Sequence, residues 1–136
     1  MDFALIHETR AIMGKQQKHN FRLVGDVKDR VCVIIDDIID TAYTITKAAR
    51  MLHENGATQI YAVVTHAIFS GDALDRIEHS YLDRVIVSDS IHQHQCTVSC
   101  DKITTFSIAP LFAESIRRIH YGENVSVLFD SAYELF

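Results

Sequence analysis

No apolar run in this 136-residue chain approaches the roughly 20 residues that a membrane-spanning helix needs, which leaves a globular reading. The first residues, Met1–His7, carry neither a basic region nor a long apolar stretch, so they do not read as a signal peptide. Basic blocks are missing as well. With 13 Lys and Arg against 18 Asp and Glu, the formal charge is −5, a poor balance for general nucleic-acid binding. An anionic ligand would have to be captured locally, by backbone amides, a metal ion or a few cations. Cysteine is scarce and odd in number: Cys32, Cys96 and Cys100 do not make a secreted disulfide framework, and the cytosol is the simplest compartment. There is no internal repeat, low-complexity segment or linker, so residues 1–136 read as one domain. What is present is 48% apolar residues, enough for a real core.

Short apolar runs alternate with helical spacing. Phe3–Ile6 reads as a strand, residues 8–20 as a long, mostly polar mobile loop, and Phe21–Val24 as a second short strand. Val31–Ile35 is continuously apolar and mainly β-branched, the pattern of an inner strand buried on both faces, with Cys32 as a small core residue. Ile45, Ala48, Ala49 and Leu52 then follow helical spacing, and Gly56 stands where a helix-terminating glycine belongs. Ile60–Val64, Arg84–Val87 and Ile103–Phe106 predict further strands, and Asp72–His79 a short helix. The only proline, Pro110, suits the first turn of a last helix, with Leu111, Ser115 and Ile119 on one stripe. Val125–Phe129 closes the chain as a strand or extended tail. This alternation implies an α/β fold, a mainly parallel sheet flanked by helices on both faces.

The most informative segment is Ile34–Thr44. A buried strand ends in adjacent carboxylates, Asp36 and Asp37; Asp40, Thr41 and Thr44 follow, and a helix begins. Ligands of open parallel sheets bind at the carboxyl ends of strands, and a helix start offers unpaired N–H groups to phosphate. Two carboxylates suit vicinal hydroxyls or a hydrated Mg²⁺. Acids at one end and amide donors at the other match a sugar phosphate. The alternative is that Asp40, Thr41 and Thr44 simply cap the helix while Asp36 and Asp37 are solvated.

The run Ile35–Thr44 (IDDIIDTAYT) resembles the phosphoribosyl pyrophosphate signature of class I ribose-phosphate pyrophosphokinases. The segments Asp2–His7, Leu23–Val27, Asn55–Ala57, Thr65–Gly71, Ala113–His120 and Val125–Phe129 are similar to further segments of that family. The family chain is more than twice as long, and this one looks like its C-terminal half, starting just before a catalytic flexible loop. The resemblance implies a type I phosphoribosyltransferase-like fold. It also implies transfer of diphosphate from ATP, with Mg²⁺, onto ribose 5-phosphate, giving phosphoribosyl pyrophosphate and AMP, by a homo-oligomer in its full-length form. Carried over by position, Asp36 and Asp37 would meet the ribose hydroxyls and, through water or substrate, the Mg²⁺. Asp40, Thr41, Ala42, Tyr43 and Thr44 would cradle the 5-phosphate.

Two departures from the pattern matter. The family has glycine where this chain has Tyr43, so the cradle should be reshaped. The family loop also presents a lysine and an arginine two residues apart. Here Arg10 is kept, but Glu8 stands at the lysine position, with Lys15 and Lys18 as possible substitutes. Ser126, beside Asn124, resembles part of a regulatory phosphate site. His92, His94, Cys96 and Cys100 are ligand types for zinc without a standard spacing. His66 could face the site or only shape its loop, and Arg117 or Arg118 could pair with Glu114. Three functions stay open: the substrate-binding half of an active pyrophosphokinase, a non-catalytic associated subunit of such an enzyme, or a phosphoribosyltransferase.

Overall fold

A computed structural model describes residues 2–13, 16–92 and 100–130. Its centre is a four-stranded parallel sheet of β3 (Val31–Ile39), β4 (Gln59–Ala67), β5 (Arg84–Ser88) and β6 (Ile103–Phe106), in that spatial order. Between β3 and β4 runs α1 (Tyr43–Glu54), and between β4 and β5 runs α2 (Ala73–Glu78). Helix α1 forms because Ile45, Ala48, Ala49 and Leu52 recur at helical spacing, and all four are buried. It ends at Gly56, whose φ of 90° is open to glycine, while the Gly56 N–H donates to His53 O at 3.0 Å. The core is one layer of side chains: Ile45, Ala49 and Leu52 of α1 and Ala73 and Ile77 of α2, set against Ile60, Ala62, Val64, Val85 and Val87 of the sheet. Among the described residues no helix is long and apolar enough to cross a membrane.

Among the described residues the opposite face of the sheet is left open at β3 and only partly covered at β4 and β5. Val33 and Ile35 of β3 are 53% and 82% exposed, so the expected double burial of this strand does not hold. Nor is β3 an inner strand: among the described residues it forms an edge of the sheet. The continuous apolar run reports that both faces of β3 are hydrophobic, whereas the neighbours present bury only one. Helix α3 (Ala109–His120), with Pro110 in its first turn, has no buried residue, and its stripe of Leu111, Phe112, Ile116 and Ile119 lies exposed.

Two other expectations are corrected. Residues 8–20 are not a mobile loop along their described length. They belong to the arms of an antiparallel hairpin, β1 (Leu5–Met13) and β2 (Gln16–Val24). A hairpin satisfies its backbone by cross-strand pairing, so a polar composition does not prevent it. Ala4, Ile6 and Leu23 anchor its base against the core. The closing segment Val125–Phe129 is not extended either. Asn124 Oδ1 accepts from the Ser126 N–H at 2.9 Å and starts a helical turn, α4 (Val127–Asp130).

Candidate functional site

Strand β3 continues past its two acids. Asp36 and Asp37 are followed by Ile38 and by Ile39, which is 2% exposed and part of the core. Burial pushes the Asp36 carboxyl above its ordinary range, while the Asp37 N–H, donating to Asp36 Oδ1 at 3.0 Å, pulls the other way. Asp37 is exposed.

The chain turns from β3 to α1 in three residues. The turn is made by Ala42, which is buried and left-handed, with φ 59° and ψ 8°. An L-residue there costs about 1–2 kcal/mol, here offset by packing the Ala42 methyl into the core. The positive φ therefore falls on Ala42, not on Tyr43. Tyr43 is already the first residue of α1, so its side chain does not disturb the backbone as the missing glycine suggested. The Lys47 ammonium lies 5.6 Å from its ring centroid. No side chain caps the start of α1, and its first turn holds no acidic residue. The capping alternative for Asp40, Thr41 and Thr44 thus fails. Instead the Thr46 hydroxyl donates back to Ala42 O at 2.8 Å. An uncapped helix start with no acid in its first turn is suited to an anion.

The turn is tied from one side. Ile39 O accepts from the Ile68 N–H at 2.8 Å, Asp40 O from the Ser70 N–H at 3.1 Å, and Thr41 O from Arg76 Nη1 of α2 at 2.8 Å. Neighbouring strand ends carry a polar network. Ser88 and Ser90 both donate to Thr65 O, at 2.6 and 3.0 Å, and His66 Nδ1 lies 2.8 Å from Ser90 Oγ. Since Ser90 spends its only proton on Thr65 O, the His66 Nδ1 is the donor to Ser90. His66 thereby shapes the end of β4.

The structure brings Asp36, Asp37 and Asp40–Thr44 together at one strand-to-helix junction. Glu8 and Arg10 sit apart from it in sequence, on β1, in register with Phe21 and His19; Lys18 on β2 faces Ala11, and Lys15 lies outside the described residues. Ser126 turns inward locally, its N–H and hydroxyl both donating to Asn124 Oδ1. Of the zinc candidates, His94 and Cys96 lie outside the described residues. Cys100 is buried, with its thiol pushed up by burial and by the Glu78 carboxylate that its Sγ meets at 3.2 Å. Among the described residues no group of three or more His, Cys, Asp or Glu could hold a metal ion. Arg117 and Arg118 both reach Glu114, at 2.9 and 2.8 Å, and Arg117 also bonds Glu123. Arg76, Ser88 and Ser90 had no signal in the sequence, because their partners lie 23 to 35 residues away.

Comparison with known proteins fits this geometry. The family model of the phosphoribosyl synthetase-associated domain matches residues 5–130. Ribose-phosphate pyrophosphokinase 5 of Schizosaccharomyces pombe is 46% identical over 130 residues, covering 96% of this chain and 37% of the relative. The ribose-phosphate pyrophosphokinase of Helicobacter pylori is 46% identical over 129 residues, covering 95% of this chain and 39% of the relative. The crystal structure of phosphoribosylpyrophosphate synthetase from Mycobacterium smegmatis superposes with a TM-score of 0.76 at 34% identity, over 88% of this chain and 37% of that one. The chain thus spans about two fifths of the length of the relatives it matches, and its parallel sheet with flanking helices is the type I phosphoribosyltransferase-like fold.

Proposed function

Because this chain belongs to the phosphoribosyl synthetase-associated domain family, we propose that it is the ribose 5-phosphate-binding half of a ribose-phosphate diphosphokinase. The observation that carries the reading is the junction at Asp36–Thr44, where two carboxylates lead within a few residues to a helix start with no side-chain cap. Asp36 and Asp37 accept hydrogen bonds from the ribose hydroxyls. The amides from Thr41 to Thr44, with the two threonine hydroxyls, hold the 5-phosphate. Fixing both ends of the sugar aims its anomeric hydroxyl at the β-phosphorus of ATP, where the new O–P bond forms as the bond to AMP breaks. Such a transfer asks the protein for alignment and positive charge. Arg10 of the hairpin, with Lys15 or Lys18, supplies the charge.

Two adjacent carboxylates, with no third His, Cys, Asp or Glu grouped with them among the described residues, suit Mg²⁺, which keeps several waters and is held through one or two acids and substrate phosphates. Asp36 and Asp37 would hold it, and when bound it would neutralise charge on the polyphosphate. The half-buried Asp36 carboxyl, raised by desolvation, is consistent with a group that gains from a nearby cation.

Titration of the chain with ribose 5-phosphate and with inorganic phosphate tests the site. The Thr41→Ala, Thr44→Ala double variant should weaken both ligands by about tenfold. Asp37→Ala should weaken ribose 5-phosphate alone, since its partners are hydroxyls. Equal binding by wild type and the double variant would remove the assignment. Glu8, at the family's lysine position on β1, favours a second reading, a non-catalytic associated subunit that binds the sugar phosphate without turning it over. The curated relatives are pyrophosphokinases, which leaves the phosphoribosyltransferase reading without support.

A further inference from the structure

We infer that Arg76 is a positioning residue for the phosphate-binding turn, acting through the peptide between Thr41 and Ala42; this rests on the phosphate reading of that turn. Three consecutive carbonyls, those of Ile39, Asp40 and Thr41, accept hydrogen bonds from the segment 68–76. No peptide here is cis. In a trans peptide the C=O of one residue and the N–H of the next point in opposite directions. Holding these carbonyls toward 68–76 therefore turns the N–H groups of Asp40, Thr41 and Ala42 away from it, to one common side.

The donors to the first two carbonyls are backbone amides, from Ile68, Phe69 and Ser70. The donor to Thr41 O is a side chain, Nη1 of Arg76, and it grips the carbonyl next to the left-handed Ala42, where the backbone is least willing to stay. Arg76 is itself held. Its neighbour Ile77 and the earlier Ala73 are fully buried and fix the orientation of the short α2, and Asp72 Oδ2 lies 3.7 Å from Nη2. The guanidinium approaches the carbonyl side of the peptide, opposite its amide donor. It orients the Ala42 N–H, and by withdrawing electron density through the amide it makes that N–H a stronger donor.

The test follows amide signals of the full chain by NMR during titration with inorganic phosphate or ribose 5-phosphate, alongside thermal melts. Arg76→Met keeps the aliphatic stem and removes every donor; Arg76→Ala is the second variant. Either folded variant should bind both ligands about tenfold more weakly and by the same factor, because only the phosphate donors are disturbed. Arg76→Lys, which restores a donor, should recover most of the loss. Loss of general fold integrity would lower the melting point without this pattern of equal loss and lysine rescue. If wild type binds both ligands and a folded Met or Ala variant binds them equally well, the role of Arg76 is refuted while the site stands. If wild type binds neither, the site and this inference fall together.

Discussion

Asp36 shows what the proposed site costs the fold. Its carboxyl is held above the ordinary range by burial, so the folded chain tolerates the charged form less well than the unfolded chain does. The sign follows directly. A folded pKa above the unfolded one leaves stability intact at low pH and removes it as pH rises through the folded value. Asp36→Asn should therefore raise the thermal midpoint at pH 7 and leave it almost unchanged at pH 3, while weakening ribose 5-phosphate by tenfold or more. Thermal melts at the two pH values with one titration check both. Ala42 holds the other local cost, a left-handed backbone in a residue without glycine's freedom. The run Asp36–Thr44 was legible because its cues are local: an apolar strand, acids, then helical spacing. Which residue would take the positive φ was not, because it depends on how the turn meets the core. Nor was Arg76, whose bond spans 35 residues.

At the level of elements, the strands and helices of the sheet were read from periodicity to within a few residues, and the failures lie where pairing or capping outweighs composition. The polar arms of the hairpin hold by cross-strand bonds, and α4 starts from an Asn124 turn in a segment whose residues favour strand. Helix α3 was read correctly as a helix, but its stripe of Leu111 and Ile119 does not reach the core. Its C-terminal end is instead held by charge. The Arg117 and Arg118 guanidiniums bring the Glu114 carboxyl down to about 2, and the Arg117 pKa rises in return. For a carboxyl depressed in the folded state, the stabilising contribution is present above the unfolded value and disappears as pH falls through the folded one. Amide exchange in α3 should therefore accelerate as pH drops from about 4.5 toward 2, after correction for the intrinsic rate. In Glu114→Gln that pH dependence should be largely absent. Because Arg117 is exposed and Glu114 and Arg118 are only partly buried, added salt should reduce the difference.

On the scale of the whole molecule, two layers stand among the described residues where the sequence suggested three, and the chain matches 37 to 41% of the length of its curated relatives. The proposed half-enzyme reading puts most of the ATP pocket outside these residues. Residues 1–136 alone should accordingly form little or no phosphoribosyl pyrophosphate, and robust turnover in a coupled AMP assay would overturn the half-enzyme reading. In a longer chain that supplies an ATP pocket, Glu8→Lys should raise turnover by about tenfold, or about 1.4 kcal/mol of barrier. No gain would mean that Lys15 or Lys18 already does that work. The braced turn after β3 bears on how such a site can be inherited or engineered. Ten residues carry the signature, but the shape of their backbone is imposed by donors at Ile68, Ser70 and Arg76. Grafted alone onto another strand–helix junction, IDDIIDTAYT would bring the acids and lose the cradle. The transferable unit is the pair of segments, 36–44 with 68–76, and the signature is only the half of it that a sequence motif can record.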